Sequence, residues 1–109
     1  MMTPDQETFC LELITYAGMG RSEAFSALRA AKAGDFDAAA AHMAEAERAL
    51  AQAHTAQTKL LAGEAQGVGM TPSLLLVHAQ DQLMTAIAER TLIAEFIELY
   101  RRLETPHAC

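Results

Sequence analysis

The stretch Leu74-Leu75-Leu76-Val77-His78-Ala79-Gln80-Asp81-Gln82-Leu83-Met84 decides how this chain is read. It follows Thr71-Pro72-Ser73. Thr71 can cap a helix, and Pro72 suits the first helical position, where its missing N–H would have had no intrahelical partner. His78 then falls about two turns into a helix, and Asp81, three residues on, projects from the same face. Leu74, Val77, Met84, Ala88 and Leu92 share that face, so the spacing predicts an imidazole and a carboxylate within a stripe that otherwise reads as core. A buried carboxylate is costly unless it is paired, hydrogen-bonded or bound to a cation. Asp81 therefore needs a partner.

The same helix continues to about Leu103, with Leu76, Leu83, Ile87, Ala94 and Ile97 as a second apolar stripe, before a frayed tail at Thr105-Pro106-His107-Ala108-Cys109. Upstream, Thr3-Pro4-Asp5-Gln6 has the form of a capping box, and Phe9, Leu13, Tyr16, Ala17, Gly20, Ala24 and Ala27 keep helical spacing towards Gly34, a good residue to end on. Gly18 and Gly20 each cost that helix roughly 1 kcal/mol against alanine. Either they permit a close crossing or a bend, or they are tolerated surface glycines. Asp35 is the natural cap of the next helix, in which Phe36, Ala39, Met43, Ala46, Leu50, Ala53, Gln57 and Leu60 form a seam with alanines that let backbones approach. Gln57 interrupts that seam and His54 lies beside it, while His42, among alanine and glutamate, reads as a solvated surface histidine. The pattern should fail in Gly63-Glu64-Ala65-Gln66-Gly67-Val68-Gly69, the only long loop.

No strand-like alternation, internal repeat or low-complexity linker is present. The expected fold is therefore all-α, one domain over residues 1–109, an antiparallel three-helix bundle with helices at about 4–33, 36–66 and 72–103. Helices of that length run to about 45 Å, so three of them make a thin subunit. Two apolar stripes on the third helix exceed what two neighbours can cover, which predicts self-association around a common axis.

The 109 residues suffice for a modest core; 51% are hydrophobic, largely through alanine, and only 6% are aromatic. A formal charge of -6 disfavours a nucleic-acid backbone or an anionic membrane surface as ligand. The start of the chain lacks a basic segment followed by an apolar run, and no apolar stretch approaches membrane-spanning length, so a cytoplasmic protein without membrane insertion is expected. Cys10 and Cys109, far apart and outside any metal-ligand spacing, read as two reduced thiols.

GxSxG, P-loop, HEXXH and zinc-finger spacings are all absent. What remains is His78. Neutral imidazole is a competent nucleophile towards phosphorus, and the phosphoimidazole so formed can pass its phosphoryl group on. A histidine on an apolar helix face is more often structural, and the residues alone leave both readings open.

Val77-His78-Ala79-Gln80-Asp81-Gln82-Leu83-Met84-Thr85 resembles the signature of the lactose/cellobiose-type enzyme IIA of the sugar phosphotransferase system. Ala53-His54-Thr55-Ala56-Gln57-Thr58-Lys59-Leu60, Arg21-Ser22 and Gly34-Asp35-Phe36 extend the resemblance over nearly the whole chain. It implies a three-helix subunit assembled as a homotrimer with a nine-helix core. It further implies that His78 takes a phosphoryl group from phospho-HPr and gives it to a cysteine of enzyme IIB, from which, through IIC, it reaches an incoming disaccharide. Ala79 and the Gln57-Thr58-Lys59-Leu60 run look nearer the cellobiose/diacetylchitobiose branch than the lactose branch.

By the same resemblance, Asp81 would meet its two symmetry mates on the trimer axis and share a divalent cation, typically Mg²⁺. Each pair of carboxylates about 4 Å apart would otherwise repel by about 4 kcal/mol at an effective dielectric of about 20. Carboxylate oxygens suit such a hard ion, with water completing its shell. The family usually carries a second histidine where this chain has Gln82, which can hydrogen-bond but not titrate. Gln80, Gln57 and His54 are candidate accessory donors to the phosphoryl group, from the same or a neighbouring subunit. Two readings stand against the phosphocarrier: a non-catalytic helical module that docks a partner helix in a groove, and a purely structural, metal-centred trimer.

Overall fold

A computed structural model describes residues 2–67 and 73–104 of the chain. Three helices, α1 (Pro4–Lys32), α2 (Phe36–Ala65) and α3 (Leu74–Glu104), run up, down and up with no strand among the described residues. α1 packs along both of the others, whereas α2 and α3 meet over a much smaller area.

Local chemistry sets the ends. The Thr3 hydroxyl accepts from the Gln6 N–H at 3.1 Å while the Gln6 side chain accepts from the Thr3 N–H at 2.8 Å, so the capping box closes in both directions. At the other end of α1, Gly34 adopts φ +82, and the N–H groups of Gly34 and Asp35 reach back to the carbonyls of Ala31 and Ala30. This left-handed glycine turn satisfies carbonyls that the helix would leave open. Asp35 then caps α2, its Oδ1 accepting from the Ala38 N–H at 3.1 Å.

α2 ends within the stretch where its pattern is expected to fail, and the cap of α3 differs from the expected one. Gly63 lies inside α2, which runs to Ala65 and gives way at Gly67 with φ +84. The anticipated cap at Thr71-Pro72 lies outside the described residues; Ser73 holds the cap position of α3, its hydroxyl accepting from the Leu76 N–H at 3.1 Å and its carbonyl from the Val77 N–H.

The core is built mainly of alanine. One cluster joins Cys10, Leu13 and Ala17 of α1, Leu50, Ala53, Ala56 and Leu60 of α2, and Ala79, Leu83 and Ala86 of α3. A second, towards the other end, joins Ala24, Ala46 and Ile93, with Phe25, Leu28, Met43 and Ile97 packed around them. Small side chains bring the helix axes close, and Gly20 is one point of close approach. Gly20 is buried against Leu50 and the Ala46 carbonyl, while Gly18 faces open space. Of the two readings of the glycines, close crossing holds for Gly20 and tolerated surface residue for Gly18.

Two expectations fail within the subunit. The stripe of Leu74, Val77, His78, Asp81, Met84, Ala88 and Leu92 is exposed, not core, and Leu74 reaches 85% exposure. α1 and α2 cover only the face bearing Ala79, Leu83, Ala86 and Ile93, because two neighbouring helices cannot wrap the whole of a third. Ile87, of the second apolar stripe, is likewise exposed. His42 is not a free surface histidine: half-buried, it places Nδ1 2.7 Å from Oε2 of Glu23 and ties α2 to α1.

Candidate functional site

His78 projects from the second turn of α3 into an open apolar pocket of about 410 Å³ that it lines with Leu74 and Leu75. Its side chain has no hydrogen-bond partner among the described residues. An exposed imidazole with an apolar surround can meet a reacting group while little competes for its lone pair. Ala79, the next residue, is fully buried. The helix is thereby clamped one position from the exposed ring.

Asp81 is also exposed, and its carboxylate has no partner among the described residues; its backbone carbonyl accepts from the Thr85 hydroxyl at 2.8 Å. The desolvation problem foreseen for Asp81 thus does not arise inside one subunit and would arise only if a second surface covered the stripe. No cluster of three or more His, Cys, Asp or Glu side chains capable of holding a metal occurs among the described residues.

The exposed apolar side chains continue along α3 through Leu92, Phe96, Leu99 and Leu103, so the face bearing His78 and Asp81 is unpartnered from end to end. Two cross-links mark its flanks. Arg21 of α1 donates to Glu89 at 3.1 Å on one side, and Gln57 of α2 donates through Nε2 to Oε1 of Gln80 at 2.9 Å on the other. A bond from Arg90 to Glu47 reinforces the α2 side.

The structure brings Gln57 and Gln80 together but does not bring either to His78 of the same subunit. Residues 78 and 80 are about 200° apart around the helix, so their side chains leave in nearly opposite directions. His54, three positions before Gln57, lies on the same flank of α2, exposed and without a side-chain partner among the described residues. Gln82 is half-buried on α3. The Gln57–Gln80 pair was missed as a pair; the signal was Gln57 itself, an amide breaking an otherwise apolar seam. The Glu23–His42 and Arg21–Glu89 bridges left no comparable trace in periodicity.

Known proteins supply the remaining comparison. The family described as PTS system, lactose/cellobiose specific IIA subunit, matches residues 8–101. The N,N'-diacetylchitobiose-specific EIIA component of Escherichia coli K12 is 49% identical over 98 residues, 90% of this chain and 84% of that protein. The crystal structure of the cellobiose-specific enzyme IIA from Bacillus anthracis is similar with a TM-score of 0.90 at 45% identity, over 95% of this chain and 94% of its own. The IIA(chitobiose) chain from solution structures of its complex with HPr, from Escherichia coli, gives a TM-score of 0.80 at 47% identity, over 92% of this chain and 97% of its own. With that pattern running through all three helices, this chain belongs to the lactose/cellobiose-specific IIA subunit family of the sugar phosphotransferase system.

Proposed function

We propose that the chain is a phosphocarrier that accepts a phosphoryl group on His78 from phospho-HPr and delivers it to a cysteine of enzyme IIB, for uptake and phosphorylation of a disaccharide of the cellobiose/chitobiose or lactose type. The observation that carries this reading is an exposed imidazole set in an apolar pocket on a helix clamped by Ala79. The relative whose solved complex contains HPr supports the choice of donor.

The transfer balances without help from a cofactor. The lone pair of one His78 ring nitrogen forms the new P–N bond as the donor imidazole's P–N bond breaks. The old bonding pair returns to the donor nitrogen, and the N–H on each ring stays where it was. In the second step the thiolate sulfur of IIB attacks phosphorus, and the His78 nitrogen recovers its pair. Leu74, Leu75 and Val77 form an apolar collar on which both partners can dock. No helix among the described residues is long and apolar enough to cross a membrane. That fits a carrier acting in the cytoplasm beside the IIC transporter.

Three copies joined along the exposed stripe of α3 account for its composition, because a homotrimer buries the leucines and brings three Asp81 carboxylates to the axis. One carboxylate per copy, without a partner among the described residues, fits a shared hard cation such as Mg²⁺, which supplies the positive charge that three clustered carboxylates require. Asp81 would hold it; no step of the transfer passes through it. Gln80, Gln57 and His54 fit as accessory donors only from a neighbouring copy.

The test is incubation with phosphoenolpyruvate and the upstream phosphocarriers. Wild-type protein should take up one acid-labile, base-stable phosphate per chain, and His78→Ala should take up none. Folded wild-type protein that stays unlabelled would overturn the reading.

A further inference from the structure

We propose that Gln57 is a positioning residue for the phosphorylated state, orienting the Gln80 amide of one copy towards His78 of the next. This rests on the phosphocarrier trimer proposed above and deepens its site.

The two flanks of α3 face different neighbours. Glu89 faces α1, as its bond to Arg21 shows, and His78 lies eleven positions earlier, about three turns, on the same flank. Gln80 lies on the α2 flank, held by Gln57. Between them runs the exposed stripe of Val77, Asp81, Ala88, Leu92 and Leu99. If that stripe faces a rotation axis, cyclic symmetry sets the α1 flank of each copy against the α2 flank of the next. Rotation leaves height along the axis unchanged, and residues 78 and 80 differ by only about 3 Å of helical rise. His78 of one copy therefore looks across the junction at the Gln57–Gln80 pair of its neighbour.

The polarity of that pair is what matters. Gln57 donates its Nε2 hydrogen to the Gln80 oxygen, so the Gln80 carbonyl is occupied and its NH₂ group is left to donate elsewhere. A phosphoryl dianion accepts from such a group and would be repelled by a carbonyl oxygen in its place. Gln57 and Gln80 are both half-buried, so the amide–amide bond is shielded from water and can hold the orientation. His78 of the same copy cannot use this donor, being on the far side of the helix.

The test follows the lifetime of the phosphoimidazole at neutral pH after enzymatic phosphorylation and removal of the donors, with ³¹P spectra of the same samples. Gln57→Met, similar in length but without a donor, is expected to shorten the lifetime about fivefold and to shift the ³¹P signal. Gln57→Glu, which can only accept and so turns the Gln80 carbonyl outward, should shorten it more. In a Gln80→Met background, adding Gln57→Met should cost nothing further, because the effect runs through Gln80. Helicity and sedimentation of each variant show that fold and assembly survive. A Gln57→Met lifetime equal to wild type, or an equal loss in both backgrounds, overturns the proposal while leaving the phosphocarrier standing. A wild-type chain that takes up no phosphate overturns both.

Discussion

A methyl group placed on Gly20 would fall 2.7 Å from Cγ and 2.8 Å from Cδ2 of Leu50, and 3.2 Å from the Ala46 carbonyl. The crossing of α1 and α2 is therefore set by the absence of a side chain. Gly20→Ala gains about 1 kcal/mol of helix propensity but must displace a buried leucine and press on backbone, which typically costs about 1–3 kcal/mol. A net loss of about 1 kcal/mol is expected. Gly18→Ala meets nothing within 4 Å in the subunit and should stabilise it by up to about 1 kcal/mol. Chemical denaturation of the two variants beside wild type checks the pair, and equal effects would contradict the packing described.

The two glycines also show what could be read from the chain and what could not. Helical periodicity marks where elements begin and end because caps are local: Thr3 with Gln6, and Asp35 with Ala38, lie three residues apart. The inward face of α1 was legible for the same reason, since Leu13, Ala17, Ala24 and Ala27 recur at helical spacing and are buried. Periodicity cannot say which of two stripes on α3 the subunit itself covers. The leucine-rich stripe read as core is the exposed one, and the alanines Ala79 and Ala86 are inside. Hydrophobicity ranks the faces, but a close helix crossing selects for small residues, and that selection won. His78 stood out because it breaks an apolar pattern; the Gln57–Gln80 bond joins residues 23 positions apart on two helices, and no local rule predicts it.

Burial, helped by the nearby negative charge of Glu7, raises the Cys10 thiol above its ordinary value of 9.0. The folded state thus keeps this proton better than the unfolded chain does. The associated stability is fully present below about pH 9 and declines as pH rises from the unfolded value through the folded one. In a Cys109→Ser background, Cys10 should react with iodoacetamide at pH 8 no faster than the protein unfolds, and Cys10→Ala should remove part of the alkaline loss of stability. Rapid alkylation of folded protein would show that the thiol is not enclosed by the α1–α2–α3 core.

The carboxylate of Asp81 has no partner among the described residues of its subunit. If three copies share an axis, three such charges at about 4 Å repel by about 4 kcal/mol per pair at an effective dielectric of about 20. A chelator should then lower the melting temperature of the wild-type assembly or dissociate it, and added Mg²⁺ should restore it. Asp81→Leu removes the repulsion and the ligand together, so its assembly should be indifferent to both additions while His78 still accepts phosphate. Sedimentation with and without chelator decides this, and a wild-type assembly indifferent to chelator and Mg²⁺ alike would remove the cation from the proposed axis.

Leu92 provides the sharpest separation of subunit fold from assembly. It is 59% exposed and is not among the buried residues of either cluster, and it shares the α3 face with Val77, Asp81 and Ala88. Covering the exposed part of one such leucine is worth about 1–2 kcal/mol, and in a three-fold assembly that contribution is made by every copy. Leu92→Glu replaces it with a ring of like charges while leaving the contacts of Ala79, Leu83 and Ala86 untouched. The variant should sediment as a monomer with wild-type helicity, and its phosphoimidazole should decay faster than that of the assembled protein, because the neighbour's Gln80 donor has been taken away. If it remained trimeric, the axis would have to lie elsewhere. If it became monomeric with an unchanged phosphate lifetime, the site would be complete within one copy.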